Sequence, residues 1–107
     1  MKIPAQVRNR VYELTCLVDP DLSEEDLKNT SQSIQEVVTK KGGKINEIEQ
    51  WGIKDLAYTI KKAGKQYQQA HYLHIIFSAE ADQATAIKEI MNSTEPVIRY
   101  LLVVQED

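Results

Sequence analysis

His71 and His74 are the two histidines of the chain, and imidazole is the side chain best suited to proton transfer or metal binding near neutral pH. A separation of three on a strand points them to opposite faces. Cys16 is the single cysteine, so no cysteine pair completes a zinc set, and no metal site is expected. A nucleophile needs a base within hydrogen-bond reach, and no Ser or Cys spacing provides one. Gly42-Gly43 follows an expected helix, whereas a phosphate cradle precedes one. The carboxylates cluster at Asp19–Asp26 and at Glu80 and Asp82, where helix starts already account for them. The expectation is no catalytic residue, no cofactor, no small-molecule substrate and no enzyme.

The cations carry more. Net charge is -3 over 107 residues, which alone points to no polyanion. The positive residues are nevertheless segregated: Lys2, Arg8 and Arg10 are the charges of the opening segment, and Lys54, Lys61, Lys62 and Lys65 outnumber Asp55 between Ile53 and Phe77. Segregation permits one basic face on an acidic protein, although ordinary solvated charge gives the same pattern. Base stacking on a third strand would need the Lys/Arg-Gly-Phe/Tyr core that 65–72 lacks. Contact with phosphates needs only a positive patch on a rigid surface.

The elements that would position these residues follow from periodicity. Arg10–Val18 is rich in strand formers, with Tyr12, Leu14, Cys16 and Val18 on one face and Asp19-Pro20-Asp21 closing it. Ser23 caps a helix whose first turn holds Glu24, Glu25 and Asp26, with Leu22 and Leu27 at staple spacing. Leu27, Thr30, Ile34, Val37 and Val38 form its apolar stripe, and Gly42-Gly43 ends it. Lys44 to Lys62 reads as one long strand with a bulge or bend at Gly52. A polar tip over Lys61–Gln66 turns it back into a strand from about Tyr67 to Phe77. A second helix is expected from Ala79 to Asn92, capped by Ser78, and a last strand over Val97–Val104.

The order β-α-β-β-α-β gives an α+β fold: a ferredoxin-like sandwich with a four-stranded antiparallel sheet and two helices on one face. Residues 1–9 are expected as a flexible polar leader and 10–107 as a single domain. The expected core is Leu14, Cys16, Val18, Leu73, Ile75, Phe77, Tyr100, Leu102 and Val104. Hydrophobic residues at 42% and charged residues at 27% are ordinary for a globular chain. No apolar run approaches a membrane span, and a single cysteine needs no oxidising compartment, so a cytoplasmic location is expected.

A sheet covered on one side shows polar residues on the other. Here Leu17, Tyr72, Ile76, Leu101 and Val103 would share the uncovered face with Glu13, Thr15, His74 and Arg99. Such an apolar cluster points to a protein partner, while strand propensity alone would also produce it.

Three stretches, with Ala70-His71-Tyr72 between them, carry a resemblance: Tyr12-Glu13 before the Pro20 turn, Trp51-Gly52 through Leu56-Ala57-Tyr58-Thr59-Ile60, and Val97-Ile98-Arg99-Tyr100. Together they resemble the bacterial small-subunit ribosomal protein S-six family from about Arg10 to Val104. The resemblance implies the same fold, a structural role in the ribosome, and binding to small-subunit ribosomal RNA in the central-domain platform. It also implies a heterodimer with ribosomal protein eighteen. Carried over by position, Arg10, Lys54 and Arg99 match basic residues of the family. Asp55 replaces a basic residue, Thr59 stands where the family often has Pro, and the hairpin tip is longer. Lys61, Lys62 and Lys65 are expected to compensate. The expected RNA contacts are thus Arg8, Arg10, Lys54, Lys61, Lys62, Lys65 and Arg99. The alternative reading is a ferredoxin-like metabolite-sensing module that dimerises through its sheet.

Overall fold

The computed structural model describes residues 9–105; Arg8 and the rest of 1–8, most of the expected leader, lie outside the described residues, as do 106–107. Six elements follow in the order expected: β1 (Arg10–Val18), α1 (Glu24–Lys40), β2 (Lys44–Lys62), β3 (Lys65–Ala79), α2 (Ala81–Met91) and β4 (Val97–Val104). The sheet order is β2-β3-β1-β4, with every neighbouring pair antiparallel. The fold is the α+β sandwich that the periodicity predicts.

Alternation along β1 and β3 sets the layers. Leu14, Cys16, Val18, Ile75, Phe77 and Ala79 are fully buried and meet Ile34 and Val38 of α1 and Ile87 and Met91 of α2. Leu22 and Leu27 pack against this core from both sides of the Ser23 cap, whose hydroxyl accepts from the Asp26 amide at 3.1 Å. Burial at this depth contributes roughly 1.5–3 kcal/mol per large side chain.

Three expectations need correction. Ser78 does not cap α2: it lies inside β3, paired with Val11 and Lys44, and its hydroxyl accepts from Asn46 Nδ2 at 2.9 Å. Glu80 is the cap instead, and its amide donates to Gln83 Oε1 at 2.8 Å. Val104 is not core but 37% exposed, because a groove stays open between it and Ala81, Ala84 and Thr85 of α2. The hairpin tip is not a six-residue loop. Lys62 pairs with Lys65, and Ala63 (φ 51°) and Gly64 (φ 80°) make a two-residue turn.

β2 is irregular in a way that shapes the molecule. Its ladder with β3 slips at Asn46, at Trp51 and again between Asp55 and Ile60, where Leu56–Thr59 lie opposite the single residue Gln68. Bulges bend and coil a strand. The distal β2–β3 hairpin accordingly curls over the end of the sheet toward β4. There Ile60, Ala70 and Ile98 form a second buried cluster, joined by Leu17, Leu56, Tyr67 and Tyr72. Ile98 reaches it because β4 also slips: Leu17 pairs with Arg99 but Val18 with Val97.

Candidate nucleic-acid and protein interface

The uncovered sheet face is laid out in three rows by the strand registers. The first is Gly52, Tyr72, Leu17 and Arg99; the second Glu49, His74, Thr15 and Leu101; the third Glu47, Ile76, Glu13 and Val103. All five residues expected to meet a partner therefore lie on one face, but they divide. Leu17 and Tyr72 are half-buried under the curled hairpin. Ile76 is half-buried, while Leu101 (64% exposed) and Val103 (44%) face solvent.

Trp51 closes part of this face. It is the extra residue of a bulge, released by Gly52 at φ 81°, and lies over His74 with ring centroids 4.6 Å apart and over Tyr72 at 6.4 Å. Sequence reading located the bulge but not the side chain that it re-aims. The indole nitrogen donates to Glu49 Oε2 at 2.7 Å. That bond, and a second with Glu47, hold the Glu49 carboxyl below the ordinary glutamate range. The hydrogen bond with Glu49, followed by the repulsion between the two carboxylates, pushes Glu47 up. His74 completes the group, with Nδ1 3.0 Å from Thr15 Oγ1 and Nε2 3.4 Å from Glu13. The third row and its neighbours are acidic.

The other end of the face is basic. Lys54 Nζ sits 5.4 Å from the Trp51 ring centroid and 5.8 Å from that of Tyr72, a placement that orders the ammonium group while leaving its charge uncompensated. Arg99 ends the first row, and its Nη1 donates to the Tyr58 hydroxyl at 3.2 Å. Lys62 Nζ donates to the Val97 carbonyl, and Lys61 is exposed beside it. Lys65 has a different setting, in a groove it shares with Asp21 and Asp55. Asp55 alternates away from Lys54 and is held by Gln69 Nε2 at 2.9 Å, which takes its repulsion off the Lys54 side. Arg10 pairs with Ala79 at the far end of β1, seven residues from Leu17 and so about 23 Å away. The expected cations thus divide: Lys54 and Arg99 stand at this end of the face, Lys62 reaches β4, Lys61 alternates away from Lys62, and Lys65 and Arg10 lie apart.

Nothing here organises covalent chemistry. Burial pushes the Cys16 thiol up to about 12, leaving it protonated and unreactive. Among the described residues no group of His, Cys, Asp or Glu is placed to hold a metal ion, and no helix is long and apolar enough to cross a membrane.

Residues 11–104 match the family model described as Ribosomal protein S6. The chain belongs to the ribosomal protein S6 family. It is 31% identical over 97 residues to the small ribosomal subunit protein bS6 of Dictyoglomus turgidum, covering 91% of this chain and 96% of that one. Identity to the bS6 protein of Desulfitobacterium hafniense is 33% over 98 residues, covering 92% and 99%. The crystal structure of 30S ribosomal protein S6 from Thermotoga maritima superposes with a TM-score of 0.82 at 23% identity, covering 92% of this chain and 89% of that one. As an S6 protein, the chain is a structural constituent of the bacterial small ribosomal subunit in the cytoplasm and not an enzyme. A homoserine dehydrogenase from Thiobacillus denitrificans shares the fold over 19% of its length, with a TM-score of 0.62 at 10% identity. That likeness shows the fold alone and lends no support to a metabolite-sensing module. Its topology is common to many functions; the S6 match is specific in sequence.

Proposed function

We propose that this S6 protein binds small-subunit ribosomal RNA in the central-domain platform together with ribosomal protein eighteen, and that the two contacts use opposite ends of one sheet face. The observation that carries the reading is the division of that face. Exposed Val103 shares its row with Glu13, Ile76 and Glu47, exposed Leu101 lies in the next row, and Lys54 and Arg99 stand beyond it toward the other end. An apolar surface rimmed by carboxylates suits a protein with basic side chains, and a rigid positive edge suits phosphate. Phosphate neutralisation and a shared protein surface would then stabilise one RNA fold by mass action. Lys61 and Lys62 extend the RNA side; Arg10 and Lys65 are weaker candidates by position or by their acidic neighbours, and Arg8 stays a candidate from the sequence alone.

The test is binding of the chain, alone and with ribosomal protein eighteen, to a central-domain ribosomal RNA fragment across a salt series. Lys54→Glu and Arg99→Glu are expected to weaken RNA binding and lower its salt dependence while the protein–protein complex persists. Unchanged RNA affinity in both variants removes these residues from the site.

A further inference from the structure

At the β4 edge, a groove of about 400 Å³ is lined by Lys62, by Lys88, Met91 and Asn92 at the end of α2, and by residues 97–102 of β4, so that it borders the sheet face at Arg99 and Leu101. Three basic residues from three different elements line it: Lys62 from the hairpin end, Lys88 from α2 and Arg99 from β4. Among the described residues its lining includes no carboxylate. Lys62 and Arg99 are held in place by neutral acceptors, the Val97 carbonyl and the Tyr58 hydroxyl. Positioning by neutral groups orders a cation without cancelling its charge, which is the condition for docking an anion. Tyr100 braces the helix side through hydrogen bonds from its hydroxyl to the Lys88 carbonyl at 3.1 Å and Asn92 Oδ1 at 2.6 Å.

We infer that this groove is a phosphodiester-binding site that seats a stretch of ribosomal RNA backbone against Lys62, Lys88 and Arg99. It rests on the RNA-binding reading above, and adds to it a residue, Lys88, and a direction, around the β4 edge instead of across the open face. An acidic peptide added as a fifth strand is the competing occupant, and two features disfavour it. The bulge at Ile98 breaks the edge alternation that strand addition requires, and the Val97 carbonyl is already taken by Lys62. Recognition is left to side-chain cations, which match a flexible polyanion whose charges recur along its length.

The test uses the full chain with ribosomal protein eighteen, a central-domain ribosomal RNA fragment and three variants: Lys88→Gln, Lys62→Gln, and Lys28→Gln on α1 as a control of equal charge. Lys88→Gln and Lys62→Gln are each expected to weaken RNA binding on the order of tenfold and to lower the log–log salt slope by about 0.7–0.9, the value for one lost phosphate contact. Lys28→Gln is expected to leave both unchanged, and all three should retain the protein partner. Wild-type binding that Lys88→Gln and Lys62→Gln preserve, slope included, overturns the groove and spares the RNA-binding reading. A wild-type complex that does not bind the fragment overturns that reading and the groove with it. If the two variants lose binding to polyglutamate but not to RNA, the groove belongs to an acidic protein segment and the inference falls.

Discussion

Arg99 Nη1 donates to the Tyr58 hydroxyl at 3.2 Å although their strands, β4 and β2, occupy opposite edges of the sheet. The contact spans β3 and β1, and it forms because Leu56–Thr59 bulge opposite Gln68 and swing the hairpin around. The bond marks the curl without causing it. Tyr58 is 66% exposed, whereas Ile60, Ala70 and Ile98 beneath it are buried.

That difference fixes the first expected outcome. Tyr58→Phe removes one exposed hydrogen bond and should cost less than about 1 kcal/mol. Ile98→Ala empties a buried site and should cost about 2–5 kcal/mol. Amide hydrogen exchange over 54–69 should accelerate in Ile98→Ala and stay near wild type in Tyr58→Phe. Equal protection in both variants would show that apolar packing does not hold the hairpin down.

Leu101 and Ile75 separate interface from core. Leu101→Asp places a charge on a residue that is 64% exposed, so thermal stability should move by less than about 0.5 kcal/mol. Binding to ribosomal protein eighteen should be lost. Ile75→Ala, at 0% exposure, should cost about 2–5 kcal/mol. Partner binding that survives Leu101→Asp would move the interface off this end of the sheet.

Much of this was legible in the amino acids. Period-two alternation in β1 and β3 and the Ser23 cap are local signals, and β2 and β4 span the residues expected. The open-face grouping followed from the same alternation. What escaped were consequences of broken registers: consecutive burial of Val97 and Ile98, the stacking of Trp51 on His74, and the curl that brings Lys62 to β4. A bulge shifts every later side chain to the opposite face, and its size is set by tertiary packing. Lys88 was missed because on an isolated helix it is one exposed charge; only the fold brings it to Lys62 and Arg99.

The carboxylates around Trp51 make a pH-dependent prediction. A lowered Glu49 adds stability above the ordinary glutamate range, and that increment fades as pH falls through the lowered value. A raised Glu47 has the opposite sign: its increment is present below the ordinary value and fades as pH rises through the raised one. Both increments are present around the ordinary glutamate value, so their joint contribution is largest there and fades as pH moves away in either direction. Trp51→Phe removes the donor that dominates the Glu49 shift. In a carboxyl-carbon NMR titration, Glu49 should then titrate at higher pH than in wild type. A Glu49 midpoint indifferent to the indole would refute this assignment.

The hairpin turn offers a stabilising change. Ala63 adopts φ 51°, a left-handed conformation that costs a residue with a Cβ about 1–2 kcal/mol. Asparagine tolerates it, and Asn-Gly is the preferred pair for such a turn. Ala63→Asn should stabilise the protein by roughly 0.5–1 kcal/mol, a gain of several degrees in melting temperature for a domain of this size. A lower melting temperature would contradict the turn geometry.

The central position of β1 has a consequence for synthesis. The strand made first is flanked by β3 and β4, so one partner comes after α1 and β2 and the other comes last: Cys16 pairs with Leu73 and with Tyr100. While a nascent chain leaves the exit tunnel, only α1 and the β2–β3 hairpin have their contacts within reach. The first strand can pair on one side once β3 is made, but its other side stays open until β4 has been translated. Chains stalled before β4 would expose the edge on which Leu14 and Cys16 should close, and would be natural clients for chaperones.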